Sequence, residues 1–199
     1  MCYNLTGKGV FMLELKKTKK PKKIRLFIAL KLDSKSERKI LEFIEKLKED
    51  YEGNFYPKEK LHLTLAFLGW VEKDELQKVK EVLREMLKDF VAFSLQGELL
   101  ELCRRGDARN HLWLRFQKDL NLRLLKSFQE ELDKRLCKEK FELEKRRFLP
   151  HLTLGRQLKT RAKIKEEERM SLKFDEIVLY RSILSRSGSR YKKIISFKD

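Results

Sequence analysis

Short apolar runs alternate along the chain with longer stretches in which apolar residues recur every three or four positions. "IRLFIALKL" (24–32) is a run of strand length, and residues 34–50 put Ile40, Phe43, Ile44 and Leu47 on one helical face. Ser34 or Ser36 stands where an N-cap is expected. A turn-rich "EGNFYPKEK" leads to "LHLTLAFL" (61–68), which reads as a strand ended by Gly69. Residues 73–90 carry a second amphipathic period through Leu76, Val79, Val82, Leu83, Met86 and Leu87, and a strand is expected near 93–102.

The pattern then begins again. "HLWLRF" (111–116) alternates as a strand, 119–137 is helical with Leu122, Leu125, Phe128, Leu132 and Leu136 inward, and 150–155 is a strand. The charged stretch 159–169 fits a short helix or a loop. "FDEIVLYRSIL" (174–184) and "YKKIISF" (191–197) close the chain as two strands joined through "SRSGS".

This restart has a literal echo: His-Leu-Thr-Leu occurs at 62–65 and again at 151–154, 89 residues apart, while the strands opening each half start 87 apart. Each half therefore reads β-α-β-α-β, although the second helix of the second half is weak. The expected fold class is α+β: two lobes from duplicated units, related by a pseudo-two-fold, with antiparallel sheets flanking a central groove. Residues i and i+2 of a strand share a side, so His62 and Thr64 emerge on one face while Leu63 and Leu65 pack inward. His151 and Thr153 do the same. A pseudo-two-fold would bring both pairs to one point in the groove.

Composition narrows the picture. A chain of 199 residues, 41% apolar with 13 Phe, suits one compact unit with two lobes rather than two independent domains. Lys and Arg outnumber Asp and Glu by 48 to 31, a formal charge of +17, and a field of that sign draws in polyanions, nucleic acid foremost. High Lys and Glu with 3 Pro also suit a heat-adapted proteome, but inflation of both signs leaves no such excess. Cys2, Cys103 and Cys137 lie far apart without metal-ligand spacing, which argues for a reducing, cytoplasmic setting and against a disulfide framework or zinc site. No apolar run approaches the ~20 residues of a membrane span. Residues 1–23, ending in "KKTKKPKK", read as a basic extension ahead of a single two-lobed domain at 24–199; Met12 is an alternative start.

Two imidazoles with ordinary pKa near 6.5 can hold one proton between them, one accepting from a nucleophile while the other donates to a leaving group. Phosphoester cleavage needs that pair together with donors for the phosphate oxygens. Thr64 and Thr153 supply hydroxyls, and Arg156, just after the second motif strand, supplies a cation of fork geometry. His111 has no partner motif and is expected to be structural. Three histidines without clustered carboxylates give no first shell for a metal.

The approach "FYPKEKLHLTLAFLG" (55–69), the block "RRFLPHLTLGR" (146–156), the opening "RLFIAL" (25–30) and the closing "LYRSILSRSGSRY" (179–191) together resemble the two-histidine phosphoesterase superfamily. Within it the chain is most similar to the RNA 2′,3′-cyclic phosphodiesterases, also called 2′-5′ RNA ligases, over about residues 24–197. The resemblance implies metal-independent, cofactor-free opening of a terminal 2′,3′-cyclic phosphate on RNA to a 2′-phosphomonoester, with ligation or splitting of tRNA halves in some members. It implies that His62 donates a proton to the departing O3′ and His151 activates water, with Thr64, Thr153 and Arg156 on the phosphate. Phe148, three residues before His151, is a candidate stacking platform for the terminal base, or else a core residue beside Pro150. The rival readings are a non-catalytic module that binds RNA ends or nucleotides, and a phosphodiesterase for small cyclic nucleotides or oligoadenylates. A monomer is expected.

Overall fold

The computed structural model describes residues 22–105, 109–144, 146–160, 169–185 and 188–199. Its elements run β1 (Lys23–Leu32), α1 (Ser34–Leu47), β2 (Tyr51–Phe55), β3 (Leu63–Glu72), α2 (Leu76–Met86), β4 (Phe93–Arg105), β5 (Arg109–Phe116), α3 (Leu120–Lys138), β6 (His151–Thr160), β7 (Met170–Ser185) and β8 (Gly188–Lys198). Among the described residues this is an α+β fold in which three helices serve one eight-stranded sheet, antiparallel at every pairing.

The strand order is β2-β6-β5-β4-β7-β1-β3, with β8 on β7. The six strands from β6 to β3 mirror each other under the duplication: β1 corresponds to β5, β3 to β6 and β4 to β7. The mirror line falls where Phe93–Gly97 of β4 meets Met170–Phe174 of β7. Each half thus lends its third strand to the other, since β7 pairs with β1 while β4 pairs with β5. The two lobes share one hydrophobic core for this reason, running from Ile40 and Phe43 of α1 through Val79 and Leu83 of α2 to Leu125 and Leu136 of α3.

Several sequence expectations shift in detail. Residues 51–55, read as turn, form β2, which adds to the edge of β6. The first motif strand does not end at Gly69: the register slips between Leu26 and Phe27, Gly69 takes φ 65°, and β3 continues to Glu72 through this bulge. Helix α1 is capped by Asp33, whose carboxylate accepts from the Ser36 N–H at 2.7 Å, while the Ser36 hydroxyl accepts from the Lys173 N–H at 2.8 Å. Helix α2 is shorter than the 73–90 period, its ends tightening into 3-10 turns at Lys73–Glu75 and Leu87–Asp89. Of the stretch 159–169, residues 159–160 belong to β6 and 161–168 lie outside the described residues.

The basic extension at 1–23 likewise lies outside them up to residue 21; Lys23 already opens β1, and the Lys73 N–H donates to the Lys22 carbonyl at 3.0 Å. No helix among the described residues is long and apolar enough to cross a membrane.

Candidate active site

Alternation along β1 and β7 builds the floor of the site. Ile24, Leu26, Ile28 and Leu30 of β1 enter the main core, and so do Ile177 and Leu179 of β7. Phe27, Ala29, Val178 and Tyr180 point the other way into a small second cluster, against which Tyr191 of β8 packs. The motif strands follow the same rule: Leu63, Leu65, Leu152 and Leu154 are almost fully buried, which turns His62, Thr64, His151 and Thr153 to the opposite face.

All four line a single groove of about 460 Å³. The expected convergence of the two motifs is therefore present. Phe148 lines the groove too and packs against the main core. Arg156 does not line this groove. It borders a smaller adjoining pocket of about 230 Å³ that shares His62 with the first. Its guanidinium lies against Gly188 at the start of β8, where a Cβ would run into it; at φ 115° that position also favours glycine.

The two histidines are oriented in parallel ways. Nδ1 of His151 lies 2.7 Å from the carbonyl of Leu149, two residues back, so Nδ1 carries the proton there. Nδ1 of His62 is likewise buried beside the carbonyl of Lys60, two residues back; that carbonyl favours the charged ring, although the geometry falls short of a full hydrogen bond.

Their surroundings differ. His151 stacks on Trp113 with ring centroids 4.0 Å apart and planes 27° apart. His62 stands in an aromatic box, 5.2 Å from Phe27, 6.0 Å from Tyr180 and edge-on to Tyr191 at 5.4 Å. Burial, then the Lys31 ammonium, and more weakly His151, push the His62 imidazole down to about 4 in the free protein. Lys31 projects from β1 beneath the motif, and its Nζ donates to the carbonyls of Lys58 at 2.9 Å and Leu61 at 3.0 Å with Glu37 at 3.6 Å. It thus ties down the turn that presents His62, while its own burial lowers its pKa. Burial, and to a lesser degree Glu176, raise the Tyr180 phenol to about 12, so it stays protonated.

Sequence reasoning missed Trp113, Tyr56, Tyr191 and Lys31. Tyr56 and Tyr191 do lie within the blocks that carried the family resemblance. His111, expected to be structural, lines both the groove and the smaller pocket. Its signal was available in principle: two residues before Trp113 on one strand, the pair shares a face. Among the described residues no cluster of His, Cys, Asp and Glu could hold a metal ion.

Two imidazoles and two hydroxyls converging in an open groove, on strands related by an internal two-fold, define a two-histidine phosphoesterase. The 2′-5′ RNA ligase superfamily model matches residues 36–184, and the chain belongs to that family. Curated relatives include the RNA 2′,3′-cyclic phosphodiesterase of Methanocaldococcus jannaschii, 31% identical over 183 residues (86% of this chain, 98% of that one). That of Thermotoga maritima is 31% identical over 134 residues (67% and 70%). Among solved structures, E. coli LigT complexed with phosphate superposes with a TM-score of 0.65 at 23% identity, covering 89% of this chain and 98% of that one, and so shares the fold.

Proposed function

We propose that this protein is an RNA 2′,3′-cyclic phosphodiesterase that opens a terminal cyclic phosphate to a 2′-phosphomonoester by paired-histidine acid and base catalysis. The observation that carries this is the meeting of both His-x-Thr pairs in one groove. The names of the relatives support the choice of substrate.

In the reaction His151 accepts a proton from water as the water oxygen bonds to phosphorus. The P–O3′ bond breaks, and His62 hands its proton to O3′. Thr64 and Thr153 donate to the phosphate oxygens, with Arg156 meeting the phosphate from the His62 side. Phe148 supplies an aromatic face for the terminal base. His62 is neutral in the free protein at pH 7, so its role as donor requires protonation when substrate binds, and the negative charge of the phosphate beside it favours that. A terminal 5′-hydroxyl replacing water would give a 2′-5′ linkage by the same steps, the route open to tRNA halves. Cys137, exposed and outside any disulfide, is in keeping with the cytoplasm.

The test is purified protein, excess chelator and an oligonucleotide ending in a 2′,3′-cyclic phosphate, with 2′- and 3′-phosphate products separated. Release of the 2′-phosphate is expected. Tight RNA binding without turnover would turn the reading to a binding module, and turnover confined to small cyclic nucleotides would turn it to that class of substrate.

A further inference from the structure

The smaller pocket is not accounted for by the two motifs. Arg25, Lys60 and Arg156 line it, with Ser182, Ser189 and Tyr191 among its other walls, and among the described residues no carboxylate lines it. It is continuous with the catalytic groove, because His62, His111, Tyr56, Phe67 and Tyr191 line both. The groove on the far side of His62 is mixed, with Trp113, Leu143, Phe148 and Leu149 beside charges of both signs, Asp133 and Glu144 against Arg146 and Arg147.

Each cation is held by the fold. Arg25 lies on β1 one step from Phe27, on the face opposite Leu26, with Ser182 as its partner across the β1–β7 ladder. Lys60 ends the 3-10 turn before His62, its Nζ 5.5 Å over the Tyr56 ring. Arg25 and Arg156 line this one pocket together with Tyr191. Three cations with serine and tyrosine hydroxyls, and no acid among the described residues, in a pocket this small, make a site for an anion.

We infer that this pocket holds the phosphate one nucleotide upstream of the cyclic end, so that the protein takes RNA ends of two or more nucleotides in preference to mononucleotides. The inference rests on the function proposed above and deepens it. Arg156 reaches the scissile phosphate from the smaller pocket. Arg25 and Lys60 take the upstream one. A terminal nucleoside then extends its base toward Phe148, while the chain leaves past Arg25.

The experiment compares adenosine 2′,3′-cyclic phosphate with the dinucleotide ApA bearing a 2′,3′-cyclic phosphate, in wild type, Arg25→Gln and Lys60→Gln, all confirmed folded by circular dichroism. Wild type should show kcat/KM higher on the dinucleotide by about tenfold or more, the size of a charge-assisted contact. Each variant should lose most of that preference while its rate on the mononucleotide changes less than about threefold. Equal losses on both substrates would place Arg25 and Lys60 on the scissile phosphate and overturn the inference, as would equal wild-type rates on the two. Calorimetry with the products, 2′-AMP and ApA 2′-phosphate, reads the same preference without turnover. Wild type inert on both cyclic substrates would refute the proposed function, while equal affinity for the two products would refute the upstream site alone.

Discussion

The two copies of His-Leu-Thr-Leu share every letter, yet their histidines meet different surroundings. His151 lies flat against Trp113 with its Nδ1 held at 2.7 Å by the Leu149 carbonyl; His62 is boxed by Phe27, Tyr180 and Tyr191 above a half-buried Lys31. The divergence starts in the neighbouring strand. Trp113 pairs with Thr153, whereas the position that pairs with Thr64 holds Ala29. Where one half fills the space beside its histidine with an indole, the other leaves it to Phe27 and to tyrosines from β7 and β8. A duplicated fold thus supplies two like groups at matched positions, and the surroundings of one of them depress its proton affinity, so His62 depends on the bound phosphate to become the donor.

Removing either histidine should break the comparison most severely. His62→Ala and His151→Ala should each lower turnover by ~10²–10⁴-fold, with RNA affinity within a few-fold because Lys and Arg contacts to phosphates carry it. The double variant should fall far short of the product of the two losses, since the residues act as one unit. Stopped turnover assays alongside salt-controlled binding measure both.

The stacking partner comes next. Trp113→Leu should lower kcat by about 10-fold to 100-fold with KM little changed, through loss of the plane that orients His151. The matching change on the other side, Tyr191→Leu, should act on His62 instead, and steady-state kinetics of the pair would show whether the two supports are equivalent.

Proton affinity gives a smaller effect with a definite sign. The folded-state pKa of His62, about 4, lies below the 6.5 of an unfolded chain. As pH falls from 6.5 toward 4 the unfolded chain takes up a proton that the fold refuses, so this residue withdraws stability across that window, at most about 3 kcal/mol. His62→Gln should flatten that part of the denaturant-midpoint profile against pH. By NMR, Lys31→Met should move the His62 titration upward, toward 6.5, by removing a like charge. Smallest of all should be the effect of chelation: overnight EDTA should leave turnover unchanged, and loss restored by one divalent ion would contradict the proposed mechanism.

Much of this site could be read before the fold was seen, because strand alternation and an exact internal repeat are local signals. They exposed His62, Thr64, His151 and Thr153, and the lobed α+β architecture. The exchange of β4 and β7 between halves was not legible, since nothing in a strand's own sequence states which strand it will pair with. Trp113 and Lys31 escaped for the same reason: each acts across a ladder or a turn, and on its own strand reads as one more buried ring or one more lysine among many. Strand β2 was hidden by Gly53 and Asn54, ordinary turn residues that here sit beside a register slip on β6. Arg156 was legible as a cation after the second motif, but not as the border of a separate pocket.

The most direct measurement is the pH dependence of kcat on a cyclic-phosphate oligonucleotide, taken from pH 4 to 9 with folding checked at each end. Paired histidines, one charged and one neutral, require a bell whose two limbs belong to the pair. A rate that stays flat across this range, or that climbs steadily with pH, would mean that His62 and His151 do not share the proton transfers.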